Sequence, residues 1–149
     1  MARTYRLSLS RRAANAAIRP LIRLGLAGPH TFLLTVRGRL SGRRHSTPVR
    51  LVESANERWL VAPYGETSWV KNARAAGRVE LARGGRSERL AIAELAPEGR
   101  AAVLREYVRE VPVVRPFFDA GPGAPLEAFA AEAERHPVFR LIDKESPNA

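Results

Sequence analysis

A short basic segment is the first part of the sequence whose residue types suggest chemistry. Residues 38–49, "GRLSGRRHSTPV", combine two glycines with arginine, serine, threonine and histidine, and contain no acidic residue. Glycines let a backbone turn tightly and present its N–H groups to an anion. Guanidinium groups match phosphate oxygens, and hydroxyl groups add further donors. The segment is therefore either a phosphate-binding turn or a solvent-exposed hairpin tip.

A second segment, "APYGETSWVKN" at residues 62–72, has the character of a platform for a flat molecule. Its small residues let a ring approach the backbone, while its tyrosine, tryptophan and asparagine offer aromatic faces and an amide. The simpler interpretation is that Trp69 is a core anchor and that the Pro-Gly pair only makes a turn. Together, the two segments favour a phosphorylated heteroaromatic cofactor.

Composition removes several other kinds of chemistry. The chain has no cysteine, which excludes disulfides, thiolate metal sites and cysteine nucleophiles. The three histidines, His30, His45 and His136, are scattered and form no H-x-x-x-H pair, so no metal site is predicted. No phosphate-binding Walker motif occurs, and no G-x-G-x-x-G follows a predicted strand, which disfavours nucleoside-triphosphatase and Rossmann folds.

Charge is distributed unevenly along the chain. Residues 1–50 contain eleven arginines and no acidic residue, whereas residues 51–149 contain fourteen basic and fifteen acidic residues, so the net charge of +10 comes from the first third. This asymmetry predicts a polyanionic partner: nucleic acid, an anionic membrane or a phosphorylated ligand. Aromatic residues are not interleaved with the arginines, and no helix-turn-helix or RNA-binding pattern is present, so no nucleic-acid partner is predicted.

The N-terminal region has the pattern of a basic amphipathic helix. Ile18, Leu21, Ile22 and Leu26 recur at helical spacing, with arginines between them. Pro20 predicts a kink or a restart of this helix. We expect the helix to lie across the domain with its arginines in water, and peripheral membrane contact through residues 11–26 is the alternative. No targeting segment is evident, which predicts a cytoplasmic protein.

The rest of the chain alternates strand patterns with helix patterns. Predicted strands cover residues 31–37, 46–54, 58–63, 78–83, 86–95 and 137–142. Predicted helices run from the cap Thr67 to Gly77, from Pro97 to about Val108 and from Leu126 to Arg135, and residues 111–125 are predicted to be irregular. Consecutive strands joined by hairpins predict an α+β fold, a small antiparallel sheet or barrel with helices at its edges.

"GRLSGRRHSTPV" followed by "VAPYGETSWVKNARAAG" resembles the deazaflavin (coenzyme F420)-dependent nitroreductase family of actinobacteria. The resemblance runs from about residue 15 to 142. It implies a split β-barrel of the flavin-reductase and pyridoxamine-phosphate-oxidase-like superfamily, with about six strands and three to four helices. The chain is then one domain, 1–149, with the basic helix in 1–28 and the barrel in 29–149.

The same resemblance implies an oxidoreductase that uses F420H2 to transfer a hydride to a small electron-poor acceptor: a quinone, an enone or a nitro compound. FMN is the alternative cofactor. The alternative function is a split-barrel protein that binds a flavin or deazaflavin without turnover or with a non-redox role. A monomer and a homodimer are both open.

The resemblance also implies the roles of particular residues. Tyr64 is the implied catalytic proton donor. The implied cofactor contacts are Arg39, Leu40, Ser41, Gly42, Arg43, His45, Ser46, Thr47, Pro48, Val49, Ala62, Pro63, Tyr64, Gly65, Ser68, Trp69 and Asn72. The implied substrate wall is Val111, Val114 and Phe117.

This sequence departs from the family pattern at two places. Leu40 replaces a basic residue of the turn, and His45 stands where arginine is common, so the cofactor's acidic tail is expected to bind more weakly or with a dependence on pH. Residues 110–118, "EVPVVRPFF", carry no tyrosine where some members have several. A more apolar substrate wall is therefore expected.

Overall fold

The structure, a computed structural model, describes residues 9–54 and 56–143, and the side chains of residues 9–15 lie outside that description. Six strands are present: β1 Thr31–Arg37, β2 Arg44–Glu53, β3 Arg58–Val61, β4 Arg78–Arg83, β5 Arg86–Glu94 and β6 Val138–Asp143. The α-helices are α1 Leu9–Arg23, α2 Ser68–Ala76, α3 Ala101–Glu110 and α4 Leu126–Glu132. Short 3-10 helices cover Pro97–Gly99, Pro112–Phe117 and Ala133–Arg135.

The six strands form a closed antiparallel barrel in the order β1-β2-β3-β6-β5-β4, and β4 pairs with β1 to close it. The predicted α+β barrel is therefore confirmed. Alternating residues of each strand point inward, so Leu34, Leu51, Leu60, Leu81 and Leu90 meet in a core that water does not reach. Each such leucine stabilises the fold by roughly 1.5–3 kcal/mol relative to an exposed one.

A second apolar layer lies outside the barrel. Helices α3 and α4 pack on the outer face of β3 and β6, where Val61 and Val138 meet Leu104, Val108 and Phe129. Helix α2 instead contributes Val70 and Ala73 to the barrel interior. The barrel thus has α2 at one end and the α3–α4 pair along one side, and the space between these helices is where a cleft can form.

Several helix boundaries differ from the predictions. Helix α1 continues through Pro20 without a restart, and Pro112–Phe117 is a 3-10 helix rather than irregular. Pro97 begins a 3-10 turn, and α3 begins only at Ala101 and ends at Glu110. Arg100 lies between the 3-10 turn and α3. Its buried guanidinium donates hydrogen bonds to the carbonyls of Leu95 and Ala133. Helix α4 ends at Glu132 and tightens into the last 3-10 turn.

Helix α1 packs against β1, β2 and β4. Its last carbonyls, those of Ile22 and Arg23, accept the N–H groups of Gly84 and Gly85 in the β4–β5 turn. Ile22 is fully buried, whereas Leu21, Leu24 and Leu26 are exposed. No helix within the described residues is both long and apolar enough to cross a membrane. Arg11 and Arg12, which belong to the predicted basic face, lie outside the described side chains.

Candidate functional site

The basic turn between β1 and β2 is held by its own hydrogen bonds. The Gly38 N–H donates to the Arg43 carbonyl at 2.7 Å, and the Gly42 N–H donates to the Gly38 carbonyl at 3.0 Å. Ser41 Oγ accepts the N–H of Arg43 at 3.1 Å. Gly42 has a φ of 73°, a conformation that favours glycine. The turn is therefore preformed, and the side chains of Leu40, Ser41 and Arg43 are exposed at its tip.

A buried amide joins the turn to helix α2. Asn72 is only 5% exposed, and its Oδ1 accepts both the backbone N–H of Arg39 at 3.0 Å and Arg39 Nη1 at 2.7 Å. The contact crosses from one element to another and fixes the direction of an arginine that is otherwise exposed. Asn72 therefore orients the turn and is not part of the cleft wall described next.

A cleft of about 320 Å³ opens between the barrel, the start of α2 and the end of α3. Its walls come from β1 and β2, from the segment leading into α2, and from α3 with the 3-10 helix that follows. The lining residues are Thr31, Thr47, Pro48, Val49, Arg50, Val61, Pro63, Tyr64, Thr67, Trp69, Tyr107, Val111, Val113 and Val114. The residues predicted for the cofactor (Thr47–Val49, Pro63, Tyr64, Trp69) thus face two of those predicted for the substrate (Val111, Val114).

Other predicted residues lie around this cleft. Phe117 stands beside it, with its ring edge-on to Tyr64 at 4.8 Å between centroids. Ser46 is on the outer face of the sheet, where its Oγ lies 2.8 Å from Thr35 Oγ1. Ala62 is buried in the barrel interior, and Ser68 and His45 are exposed. Gly65, with a φ of 83°, approaches the backbone carbonyl of Arg135.

Two polar atoms in the cleft wall have no hydrogen-bond partner within the described part of the chain. They are Thr67 Oγ1 and Arg50 Nε, and both are buried. Thr67 occupies the predicted N-cap position of α2, but its side chain makes no bond to the helix, and Gly77 ends the helix in the left-handed conformation. An unsatisfied buried polar atom costs about 1–3 kcal/mol. Both atoms belong to residues that line the cleft.

Sequence reasoning missed Tyr107, which the structure places in the cleft wall from α3. Burial raises the pKa of Tyr107, the nearby Tyr64 raises it further, and Arg50 opposes both. The phenol therefore keeps its proton. The available signal was a tyrosine among the aliphatic residues of one helix face, since a buried hydroxyl requires a partner.

Arg50 brings a positive charge to the rim. Its Nη2 lies 3.6 Å from Glu110 Oε1. Burial and the neighbouring Glu106 raise the pKa of Glu110, while Arg50 and His30 lower it. This ion pair joins β2 to the end of α3 and so connects two walls of the cleft.

A larger groove of about 430 Å³ lies on the outside of the barrel, among Arg37, Arg44, Arg78 and Arg89. Its acidic residue, Glu80, is already bonded to Arg44 and Ser87. The groove contains none of the predicted site residues. We favour the cleft over this groove as the candidate site because two of its lining residues have polar atoms without a hydrogen-bond partner. No group of three His, Asp or Glu side chains suitable for a metal occurs in residues 9–54 and 56–143.

Comparison with known proteins identifies the family of the chain. The sequence model of the F420H(2)-dependent quinone reductase family matches residues 10–116, well over half of the chain. The chain belongs to this family. As a member of the F420H(2)-dependent quinone reductase family it is an F420-dependent reductase, an oxidoreductase whose cofactor is coenzyme F420. The resemblance seen in the sequence is thereby confirmed. No curated protein matches the chain.

Solved structures show the same fold. An F420-H2 dependent reductase is 23% identical with a TM-score of 0.52, and the match covers 76% of this chain and 99% of that one. A structure described as a domain-swapped dimer is 20% identical with a TM-score of 0.55, covering 90% of this chain and 99% of that one. A putative pyridoxamine 5'-phosphate oxidase from Listeria innocua is 10% identical with a TM-score of 0.54, covering 78% and 86% respectively.

Proposed function

We propose that the cleft holds the deazaflavin ring of F420, that the turn at residues 38–43 holds its phosphate and acidic tail, and that the acceptor is a small electron-poor molecule such as a quinone, an enone or a nitro compound. The observation that carries this proposal is the cleft itself. It combines apolar walls, two unsatisfied polar atoms and an adjacent arginine turn that is already folded.

The turn is suited to a phosphate because it is ordered before any ligand arrives. Arg39 is oriented by Asn72, and the exposed Ser41 and Arg43 stand beside it. A guanidinium pairs with phosphate through charge-assisted hydrogen bonds, which are about twice as strong as neutral ones. Little ordering entropy is lost on binding, since the loop and Arg39 are already held. Leu40, at 91% exposure, contributes no charge there.

The cleft walls are suited to a flat ring with a polar edge. Apolar surface comes from Pro48, Val49, Pro63 and Trp69. The buried hydroxyl of Thr67 has no hydrogen-bond partner in the described structure. Bound F420H2 supplies a hydride that the acceptor receives in a two-electron reduction. The protein's part is to exclude water, to align the two molecules and to present hydrogen-bond donors where negative charge develops.

The two tyrosines have different roles in this proposal. Tyr107 keeps its proton because its pKa is raised, so its hydroxyl donates a hydrogen bond to the acceptor without giving up the proton. Tyr64, half-buried against Phe117, is our candidate for the proton donor. Val111 and Val114 supply the apolar wall against which an acceptor packs.

Titration of the protein with oxidised F420 and, separately, with FMN tests the cofactor site by fluorescence. We expect micromolar binding of F420 and much weaker binding of FMN. The double variant Arg39→Ala, Ser41→Ala is expected to lose at least tenfold in F420 affinity, the equivalent of about 1.4 kcal/mol. If the double variant folds and binds F420 with unchanged affinity, the proposal that the turn holds the phosphate is wrong. Turnover with F420H2 and a small quinone then tests the acceptor.

We also propose that residues 1–149 form one domain, with a basic amphipathic helix in residues 1–28 and the barrel in residues 29–149, and that the protein forms a homodimer. One structural neighbour is described as a domain-swapped dimer, which supports the second point. Light scattering of the purified protein measures its mass directly. Peripheral membrane contact through residues 11–26 is the alternative for this helix, and liposome flotation with and without the first 26 residues tests it.

A further inference from the structure

A buried histidine lies directly beneath the segment that forms one wall of the cleft. His136 is 3% exposed and stacks on the ring of Phe118 at 4.0 Å between centroids. Its Nδ1 is 3.1 Å from the carbonyl oxygen of Pro63, and its Nε2 is 2.8 Å from Glu132 Oε1. Neither His136 nor Glu132 touches the cleft, and the proposed function uses neither of them.

Glu132, the partner of His136, has hydrogen bonds at both of its carboxylate oxygens. Glu132 is 2% exposed, and its two oxygens accept the backbone N–H groups of Asp119 at 3.1 Å and Ala120 at 2.7 Å. Arg135, which is paired with Asp119, lies 3.6 Å from the same carboxylate. The imidazole is therefore held in one orientation by Glu132 on one side and Phe118 on its face.

Residues 135–137 lie against residues 62–65, the segment that forms one wall of the cleft. The Ala62 N–H donates to the Pro137 carbonyl at 2.8 Å. A Cβ on Gly65 would stand 3.3 Å from the Arg135 carbonyl, so the two backbones are close there as well. His136 completes this contact with its bond to Pro63. The position of the wall is thus set from behind by the residues that lead into β6.

We infer that His136 is a positioning residue, which turns the Tyr64 N–H towards the cleft by holding the Pro63 carbonyl on the opposite, buried side. A trans peptide is planar, so its C=O and N–H point in opposite directions, and no cis peptide occurs in the described chain. The carbonyl of Pro63 and the N–H of Tyr64 belong to one such peptide. This inference rests on the proposed placement of the cofactor ring against residues 62–65.

The inference assigns a proton to a particular nitrogen. A carbonyl oxygen only accepts hydrogen bonds, so Nδ1 must carry a proton for His136 to hold Pro63. A carboxylate oxygen also only accepts, so the 2.8 Å contact between Nε2 and Glu132 Oε1 requires a second proton between those two atoms. Substitutions can separate the two bonds of the ring. An asparagine amide reaches the position of Nδ1, and a glutamine amide reaches that of Nε2. His136→Asn therefore keeps a donor for Pro63, whereas His136→Gln keeps a contact with Glu132.

The experiment compares F420 dissociation constants and thermal midpoints for the wild type, His136→Asn and His136→Gln. Both variants are expected to lose thermal stability. The glutamine variant is expected to bind F420 about tenfold more weakly, the usual consequence of losing one aligned hydrogen bond, and the asparagine variant within about threefold of wild type. A purely structural role predicts that affinity follows the thermal midpoint in both. Equal affinities of the two variants would overturn the inference.

A second measurement needs neither variant nor cofactor. The ¹⁵N spectrum of the histidine rings in the free wild-type protein reports whether Nδ1 of His136 is protonated. A protonated Nδ1 supports the inference, and a bare Nδ1 overturns it even where both variants fail to fold. If Nδ1 is protonated but the wild type does not bind F420, the proposed function is contradicted, whereas the inferred bond from His136 to the Pro63 carbonyl is not.

Discussion

The bond between the turn and α2 gives the sharpest prediction. Asn72→Ala removes the acceptor of two hydrogen bonds, one neutral from the Arg39 N–H and one charge-assisted from its guanidinium. Net contributions of about 1 and 1.5–3 kcal/mol apply to such bonds in buried sites. Because Arg39 is exposed and water replaces part of what is lost, we expect a cost of about 1–3 kcal/mol in unfolding free energy. At about 2–4 °C per kcal/mol, the thermal midpoint falls by roughly 2–12 °C.

Asn72→Asp separates folding from binding. The carboxylate keeps an acceptor for both bonds and adds a charge opposite to that of Arg39, so the thermal midpoint is expected to hold or rise. The same charge neutralises the guanidinium that the proposal assigns to the cofactor phosphate. Losing one charge-assisted bond of about 1.5–3 kcal/mol corresponds to a decrease in F420 affinity of roughly ten- to a hundredfold.

Fluorescence titration and thermal unfolding, run at one fixed ionic strength, check both numbers. Lys71→Gln is the matched control, because it makes the same change in net charge on an exposed position of the same helix. The control is expected to bind F420 within about twofold of the wild type, because salt screens the charge of an exposed side chain. An aspartate variant that folds and binds F420 as tightly as wild type would refute the assignment of Arg39 to the phosphate.

Two further predictions concern the cleft. Tyr107→Phe keeps the packing and removes only the hydroxyl, so kcat with a quinone should fall several-fold while the F420 dissociation constant stays unchanged; a change confined to F420 affinity would contradict the proposed role. Thr67→Val removes a hydroxyl that has no partner in the described structure, so the thermal midpoint of the free protein should hold or rise while F420 affinity falls at least threefold by titration.

Local patterns were sufficient to predict the strands. The segment "TFLLTVR" was predicted as a strand at residues 31–37, the range that β1 occupies. Hairpins pair residues close in sequence, so their strands follow from alternation and turn residues. The pairing of β6 with both β3 and β5 did not follow, because it joins residues far apart and leaves no mark on local alternation.

The cleft was predicted where its residues belong to continuous segments. Pro48 and Trp69 could be proposed because each lies in a stretch whose residue types already suggest a ligand. Tyr107 was not predicted as a site residue, since the pattern of α3 shows that one face is apolar but not that its tyrosine reaches a cavity edge. Thr67 has the cap position that its place in the sequence predicts, and only the tertiary structure shows that the residue lines the cleft and that its buried hydroxyl has no partner.

The place of β6 in the barrel has a consequence for biosynthesis. This strand lies between β3 and β5, yet a ribosome makes it after every other strand of the described chain. Until residues 138–143 emerge, β3 and β5 each present an unpaired edge, which is the feature most prone to joining another chain. The wall at residues 62–65 also waits for residues 135–137. The closed barrel and the position of the cleft wall at residues 62–65 therefore both depend on the last part of the described chain to be synthesised.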